Sequence, residues 1–268
     1  MHLPIPPMGL GTYGRTGPEG LKAILAGLEI GYRHLDTAQS YGTEEVVGEA
    51  MRRCGIERSE IFVTTKVATG NLGRETFLPS LRKSRDVLGV EQIDLTLIHW
   101  PSPGDVVPFE SYVEELAQAR QEGLTRLIGV SNFTIAHLKR AQDILGPGQI
   151  SNNQVEIHPF LQNRKLVDYC QSMGIVPTAY VPLAKGKVAD DPVLQRIGEK
   201  RGAAASQVAL AWLLQRDIVV IPASANRDRL LSNFKAADLT LTQADMDEIA
   251  GLDRAERIIA PADGPDWD

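Results

Sequence analysis

The sequence has little cysteine, no long apolar run and no basic segment, and each absence excludes a class of protein. Only two of its 268 residues are cysteine. Cys54 and Cys170 both fall inside predicted helices, and we interpret them as small buried or half-buried side chains rather than a disulfide or metal pair. No partner Cys or His stands at zinc-ligand spacing, so no metal site is predicted.

Apolar runs in the chain are far too short to cross a bilayer. The first residues, MHLPIPPMG, lack the charged and apolar regions of a signal peptide. The formal net charge is −6, whereas nucleic acids and anionic membranes bind basic surfaces. We therefore expect a cytoplasmic protein that binds neither nucleic acid nor membrane.

Short β-rich runs alternate with amphipathic segments along the chain. Segments such as 20–31 and 206–216 have helical spacing. The strand-like runs cover residues 8–12, 32–36, 61–66, 93–99, 125–131, 151–156, 175–180 and 217–222. Strands that alternate with helices predict parallel neighbours joined by right-handed crossovers. Eight such units in about 250 residues predict an α/β protein of the closed (β/α)8 TIM-barrel type.

The alternative fold is a doubly wound open sheet, but the first turn, GLGTYG, lacks the G-x-G-x-x-G phosphate-binding pattern of that fold. No linker or low-complexity stretch divides the chain, so residues 1–268 are predicted to form a single domain. An extra helix is expected near 242–251, with Thr242 and Asp245 as its capping box. The tail 257–268 reads as irregular, and its Trp267 is a candidate to fold back over the barrel.

Polar or titratable residues end the predicted strands, although the runs before them are apolar. In a (β/α)8 barrel these positions form the catalytic face. They are Thr12, Asp36 followed by Tyr41, Lys66, His99 followed by Trp100, Ser131 with Asn132, Gln154 with Glu156, Tyr180, and Ser224.

Four of these residues have ordinary structural explanations when they are considered one at a time. Asp36 could belong to a turn, Tyr41 could anchor a loop, Lys66 could solvate a strand end, and His99 could be a core histidine. Together they suit one reaction. A phenol has a pKa near 10, too high for a good general acid at neutral pH. A nearby Lys⁺ is expected to lower that pKa, a carboxylate would keep the lysine charged, and a neutral histidine can orient a bound carbonyl. This set would protonate an oxygen on which negative charge develops, as carbonyl reduction by hydride requires.

Motifs along essentially the whole chain resemble the aldo-keto reductase superfamily. They are GLGTY (9–13), GYRHLDTAQSYGTEEVVGEA (31–50), VTTKV (63–67), IDLTLIHWP (93–101), IGVSNF (128–133), NNQVEIHP (152–159), YVPLA (180–184) and IPASANRDRLLSNF (221–234). Within the superfamily, the segments WPSP, NFTI, LQNRK and PDWD are similar to bacterial 2,5-diketo-D-gluconate reductases of the B type, which also act on methylglyoxal.

The resemblance implies NADPH, with NADH as a possible substitute, bound across the barrel mouth without a Rossmann fold. It implies that Asp36, Tyr41, Lys66 and His99 are the catalytic tetrad, with Tyr41 as the general acid. The residues it assigns to the cofactor are Thr12, Ser131, Asn132 and Gln154 near the nicotinamide, Tyr180 against its ring, Leu183 at the pyrophosphate, and Ser224, Arg227, Arg229 and Asn233 at the 2′-phosphate and adenine. Tyr13, Trp100 and His99 are expected to line the substrate pocket, and the protein is expected to be a monomer.

The phosphate assignment also has physical support. ANRDRLLSNF begins a predicted helix, whose N-terminus and two arginines favour an anion. Two positions depart from the family pattern: Ala223 replaces a common lysine, and Val181 replaces a serine. Lys185 or Lys187 is a candidate to replace part of the lost pyrophosphate contact.

Short loops after the fourth strand and at the C-terminus favour small polar carbonyl substrates. Two other classes of function remain open from the sequence. One is a Schiff-base barrel lyase or isomerase that uses Lys66. The other is a non-catalytic subunit that binds a nicotinamide cofactor to sense redox state.

Overall fold

Eight short strands run parallel to one another in a computed structural model that describes residues 5–268. Each strand is hydrogen-bonded to the next along the chain, so their order in the sheet is their order in the sequence. The strands are β1 (Leu10–Gly11), β2 (His34–Asp36), β3 (Phe62–Val67), β4 (Ile93–Ile98), β5 (Thr125–Ser131), β6 (Asn152–Glu156), β7 (Val176–Tyr180) and β8 (Val219–Val220). Seven of the eight lie within the predicted runs, and β3 extends one residue beyond its run, to Val67.

Helices alternate with these strands, as a (β/α)8 fold requires. They are α1 (Gly17–Ile30), α2 (Glu44–Arg53), α3 (Phe77–Leu88), α4 (Phe109–Gln121), α5 (Ile135–Leu145), α6 (Arg164–Ser172), α7 (Pro192–Arg201), α8 (Ala205–Leu214), α9 (Arg227–Phe234) and α10 (Gln243–Ala250). The sequence pattern did not single out α7, which begins with Asp191 capping the N–H groups of Val193 and Leu194. Two helices therefore connect β7 to β8, where one was predicted.

The β1 and β8 strands stand at the two ends of the strand order, and hydrogen bonds join the segments around them. The N–H of Gly9 donates to the carbonyl of Val220 at 2.8 Å, and the N–H of Gly11 donates to the carbonyl of Pro222 at 3.1 Å. Met8 and Val220 form an isolated parallel bridge. The eight-stranded sheet thus curls until its first and last segments meet.

Two groups of apolar side chains stabilise this arrangement, one on each face of the sheet. The larger packs between the strands and the helices and includes the buried Trp212. The smaller consists of Ile5, Phe62, Leu95, Leu97, Val176 and Val219. Since side chains alternate along a strand, Phe62 shares its face of β3 with Lys66. The second core therefore lies beneath the polar strand ends.

The capping box predicted for the extra helix is present. Thr242 accepts from the N–H of Asp245, and the Asp245 carboxylate accepts from the N–H of Thr242 at 3.0 Å. By contrast, Thr43 precedes α2 without capping it through its side chain. Its hydroxyl instead lies 2.8 Å from that of Thr37 and 3.1 Å from that of Thr12, which ties the first turn of α2 to two strand ends.

Cys54 is half-buried, Cys170 is buried, and neither forms a disulfide. No helix within residues 5–268 is both long enough and apolar enough to cross a membrane. Across the same residues, no three His, Cys, Asp or Glu side chains are grouped so that they could hold a metal ion.

A glycine on β5 provides a test of the packing on the inner face. A β-carbon on Gly129 would lie 2.7 Å from Cδ2 of Leu97 and 2.8 Å from the carbonyl oxygen of Asn152. Because backbone cannot easily yield, Gly129→Ala should lower the free energy of unfolding by about 1–3 kcal/mol. Gly70 has nothing within 4 Å of the same position, and Gly70→Ala is the matched control. Urea titration of both variants measures the difference, and equal stabilities would contradict this packing.

Candidate active site

Side chains from the C-terminal ends of the strands surround one cavity of about 830 Å³, a size typical of a ligand site. The sequence-predicted residues that line it are Thr12, Tyr13, Asp36, Tyr41, His99, Trp100, Ser131, Asn132, Gln154, Tyr180, Leu183, Ser224, Arg229 and Asn233. Lys66 lies behind the wall with no exposed surface, and Arg227 does not line the cavity. The strand ends therefore bring the predicted side chains to one place, with these two exceptions.

Lys66 is the centre of the polar network behind this wall. Its ammonium donates to Oδ1 of Asp36 at 2.5 Å, to the carbonyl of Thr37 at 2.9 Å and to the hydroxyl of Tyr41 at 3.4 Å. An ammonium has three N–H donors, so all of them are used. The side chains of Lys66 and Asp36 are both buried, with exposures of 0% and 2%.

Gln154 completes the environment of Asp36 in a way that the sequence did not reveal. Its amide donates to Oδ2 of Asp36 at 2.7 Å, so each carboxylate oxygen has a donor. The hydroxyl of Thr12 donates to the backbone carbonyl of Asp36 at 2.9 Å. Asp36 is consequently fixed from three strands, and Gln154 is tied to the ion pair as well as to the cavity.

The charge of Lys66 follows from its partners. Burial by itself would lower the pKa of this lysine, but the charge of Asp36 and the contacts with Tyr41 raise the pKa above its ordinary value. Lys66 is therefore a cation at neutral pH. This agrees with the expectation that a carboxylate keeps it charged.

Tyr41 differs from the expectation. Lys66 does act to lower the pKa of the phenol, but burial outweighs it and the pKa lies above its ordinary value. The sequence predicted that Lys66 would lie near Tyr41, but it did not indicate how deeply the phenol ring would be buried. In this structure Tyr41 is a protonated phenol with an ammonium 3.4 Å from its oxygen.

His99 directly follows β4 and faces Tyr41, with their ring centres 5.4 Å apart. Burial, and secondly the positive charge of Lys66, lower the pKa of His99 to about 3. The imidazole is therefore neutral, with one N–H donor and one acceptor. The hydroxyl of Ser40, which also lines the cavity, lies 3.3 Å from Nδ1 of His99.

Asn132 connects the middle strands above the network. Its backbone has a φ of 61°, in the left-handed region that asparagine tolerates better than most residues. Its amide donates to the carbonyl of His99 at 3.0 Å and to the hydroxyl of Ser131 at 3.1 Å, and its oxygen accepts from the hydroxyl of Tyr180 at 2.9 Å. The Asn132 side chain thus fixes the backbone at His99 and the phenol of Tyr180.

Cations line the far part of the cavity. Arg15, Lys185 and Arg229 all border it, and none of the three appears in the ion pairs formed among residues 5–268. Arg227 instead pairs with Glu29 at 2.9 Å, and Lys187 pairs with Glu256. Lys185 is therefore the better placed of the two candidate lysines. Arg15 was not predicted, because a single arginine in a loop carries no pattern.

The N-terminus of α9 is partly occupied by its own cap. The side chain of Asn226 accepts from the N–H of Arg229 at 2.9 Å, and the hydroxyl of Ser224 accepts from the N–H of Asn226 at 3.1 Å. Fewer N–H groups are consequently available to an anion than the sequence suggested.

Aromatic rings form the outer wall. Tyr13 is 71% exposed and packs edge-on against Tyr41, with ring centres 5.1 Å apart. Trp100 packs edge-on against Trp267 of the C-terminal tail at 6.2 Å. The tail also contributes Ile259 to the cavity, a residue whose role could not be predicted because its segment is irregular.

Comparison with known proteins agrees with this architecture. A family model described as the aldo/keto reductase family matches residues 7–254. Methylglyoxal reductase DkgB of Yersinia pestis is 45% identical over 266 residues, which cover 98% of this chain and 99% of that protein. Glyoxal reductase of Bacillus subtilis (strain 168) is 38% identical over 257 residues, which cover 95% of this chain and 91% of that protein.

A solved structure gives the same result. MGS-M4, an aldo-keto reductase enzyme from a Medee basin deep-sea metagenome library, superposes with a TM-score of 0.90 at 36% identity. The match covers 98% of this chain and 97% of that one. The similarity therefore extends over nearly the whole of both chains.

The neutral state of His99 is directly measurable. Its imidazole signals should not shift between about pH 5 and pH 8, the range in which an ordinary histidine titrates, since its pKa is lowered to about 3. Two-dimensional NMR of the protein follows each ring, and the spectrum of His99→Asn identifies the signal that belongs to this residue. A midpoint within that range would contradict the neutral assignment.

Proposed function

Because the chain belongs to the aldo/keto reductase family and is an oxidoreductase that acts on carbonyl groups, we propose that it uses NADPH to reduce small polar aldehydes and ketones. The observation that carries the proposal is the buried contact chain from Asp36 through Lys66 to Tyr41 at the wall of the cavity. When bound, NADPH would supply the hydride.

Tyr41 is the proton donor in this proposal. Its raised pKa keeps the phenol protonated at neutral pH, so a proton is available as negative charge develops on the substrate oxygen. Loss of the proton leaves a phenolate whose oxygen is 3.4 Å from the Lys66 ammonium. The cation stabilises that phenolate in a water-poor site, and Asp36 keeps the cation charged. Lys66 therefore acts on the product of proton transfer more than on the resting phenol.

His99 orients the carbonyl. A neutral imidazole can donate one N–H to the substrate oxygen without bringing a second full charge beside Lys66. Its ring lies at the same wall as Tyr41. The two donors would approach one oxygen from different directions, which fixes the carbonyl carbon relative to the cofactor.

The choice of cofactor rests on charge. The protein carries a formal net charge of −6, yet Arg15, Lys185 and Arg229 line a single cavity without ion-pair partners among residues 5–268. NADPH carries a diphosphate and a 2′-phosphate, which such cations would neutralise. Arg229 adjoins Ser224 and Asn233 in the cavity wall and is our candidate for the 2′-phosphate; Arg15 and Lys185 are candidates for the diphosphate.

Ring contacts are proposed for the nicotinamide and the substrate. Tyr180 would stack on the nicotinamide, with Ser131, Asn132 and Gln154 near its carboxamide. Tyr13 and Trp100 would hold the substrate on the outer side. Small dicarbonyls of the methylglyoxal or 2,5-diketo-D-gluconate type suit a wall that combines these rings with polar groups, and the names of the related reductases support the first of these.

The alternative classes are not favoured. A Schiff-base enzyme needs a lysine that can reach substrate as a free amine, whereas Lys66 is fully buried, charged and bonded through all three N–H donors. A non-catalytic subunit would not require the tetrad, and here its four members are assembled at one cavity.

Several expectations about the whole chain remain predictions. We propose that the sheet is a closed barrel, because Gly9 and Gly11 donate hydrogen bonds to the segment around β8. A single domain, a monomer and a cytoplasmic location also remain predictions. Neither nucleic acid nor membrane is proposed as a partner.

Replacement of the proton donor tests the mechanism. Tyr41→Phe should lower kcat for methylglyoxal about a thousand-fold, the scale of general acid catalysis, because the ring stays and only the hydroxyl is lost. Steady-state rates with NADPH measure the change. The dissociation constant of NADPH, measured by fluorescence quenching, should stay within about twofold of the parent value, because the phenol does not contact the charged groups of the cofactor in this proposal. Near-normal turnover would contradict the role of Tyr41.

Replacement of Arg229 tests the cofactor assignment. Arg229→Ala should weaken NADPH binding by about tenfold or more, the scale of one charge-assisted contact, and should leave NADH binding unchanged because NADH lacks the 2′-phosphate. Titration calorimetry with each cofactor measures both constants. Lys187→Ala removes an equal charge from a residue that pairs with Glu256 and is the control. Equal losses for the two cofactors would remove Arg229 from the 2′-phosphate site.

A further inference from the structure

Glu156 is a buried carboxylate for which the proposed reaction has no use. It ends β6, two residues after Gln154, and its side chain has no exposed surface. Oε1 accepts from the N–H of Ile258 at 2.7 Å, and Oε2 accepts from the N–H of Ile259 at 2.7 Å. Nε2 of His158 lies 3.0 Å from Oε1. Two of the three groups that contact this carboxylate thus belong to the segment after α10.

The carboxylate depends on these contacts for its charge. Burial acts to raise the pKa of Glu156, but hydrogen bonds from His158 and from the two backbone N–H groups bring the pKa below its ordinary value. An ionised carboxylate that is buried without donors is very unfavourable. The amides of Ile258 and Ile259 in turn have this carboxylate as their acceptor. Release of the segment would remove two of the three groups that contact this carboxylate and leave His158 alone beside it.

Residues 254–268, called the tail from here on, include the irregular stretch predicted for 257–268, and Ile259 of this segment lines the cavity. At the start of the tail, the N–H groups of Arg254 and Glu256 donate to the carbonyl of Phe160 at 3.2 and 3.0 Å. The Arg254 guanidinium lies 3.9 Å from the centre of the Phe160 ring. The first part of the tail is therefore attached to the connection between β6 and α6, beside Glu156.

The end of the tail reaches a different strand connection. Trp267 packs against Trp100, which follows β4, and the Arg257 guanidinium lies 3.6 Å from the centre of the Trp267 ring. The Asp268 carboxylate accepts from the N–H of Ile135, the first residue of α5, at 3.0 Å. The tail thus contacts the connections that follow β4, β5 and β6, with Glu156 as its buried attachment and Trp267 against Trp100, which lines the cavity.

We propose that Glu156 is a positioning residue, whose carboxylate holds the tail in place so that Ile259 lines the substrate pocket and Trp267 supports Trp100 in its wall. The proposal rests on the proposed function for the identity of the ligand that this wall contacts. Glu156 acts through the tail and does not itself touch the reacting atoms. Its loss should accordingly affect substrate binding and spare both cofactor binding and proton transfer.

The test replaces one carboxylate oxygen and keeps the shape. In Glu156→Gln, the amide retains one acceptor and turns an NH2 group toward a backbone N–H donor. Hydrogen exchange of the segment that contains Ile258 and Ile259 should become faster, and KM for methylglyoxal should rise about tenfold, the effect expected when one charge-assisted contact is lost. The kcat and the dissociation constant of NADPH should stay within about twofold of the parent.

Glu256→Gln is the matched control, because it alters a tail carboxylate that pairs with Lys187 and Arg254 at the surface and does not reach the buried site. It should leave KM for methylglyoxal unchanged. A rise in KM equal to that of Glu156→Gln would mean that any tail charge has this effect, and would overturn the specific role of Glu156.

A second variant tests whether Glu156 acts through the tail. Trp267→Ala should raise KM on its own, and the double variant with Glu156→Gln should be no worse than the stronger single variant, because both changes remove the same wall. Additive effects in the double variant would overturn the proposal. A normal KM in Trp267→Ala would also overturn it, and that measurement does not require Glu156→Gln to fold. If the parent protein does not reduce methylglyoxal, the proposed function fails, while unchanged hydrogen exchange in Glu156→Gln separately overturns the tail attachment.

Discussion

The ion pair between Lys66 and Asp36 is the interaction on which the rest of the site depends. Removal of two charges from water costs several kcal/mol each, so the pair is tolerable only where every donor and acceptor has a partner. Lys66 uses its three N–H groups on Asp36, Thr37 and Tyr41, and Asp36 receives Gln154 on its second oxygen. Three strands must consequently hold their ends in register before the charges can be buried, and this rigidity gives the phenol its position.

Much of this arrangement was predictable from the sequence, because a parallel sheet gathers the C-terminal ends of its strands at one edge. Asp36, Lys66 and His99 each end a strand-like run, and eight such runs separated by helical segments leave few alternatives to the observed strand order. The family resemblance then supplied a role for each position. The predicted catalytic and nicotinamide residues line one cavity or, for Lys66, lie directly behind its wall, because their positions depend on the strand pattern that the sequence shows.

Other features could not be predicted, because they depend on quantities that no pattern carries. The pKa of Tyr41 is raised because the burial of its ring outweighs a nearby cation, and the depth of burial belongs to the folded molecule. Lys185 and Lys187 are two residues apart and alike in sequence, yet only Lys187 meets a carboxylate. Arg15 and Ile259 come from irregular segments, where neither alternation nor helical spacing indicates which way a side chain points.

The meeting of the first and last strands has a consequence for the order in which the protein matures. The N–H groups of Gly9 and Gly11 donate to the carbonyls of Val220 and Pro222, and Glu156 accepts from the N–H groups of residues 258 and 259. Contacts between such distant positions form late, since a long loop must close before they stabilise anything. The wall of the cavity is therefore complete only after segments that are far apart in the chain have joined the strands.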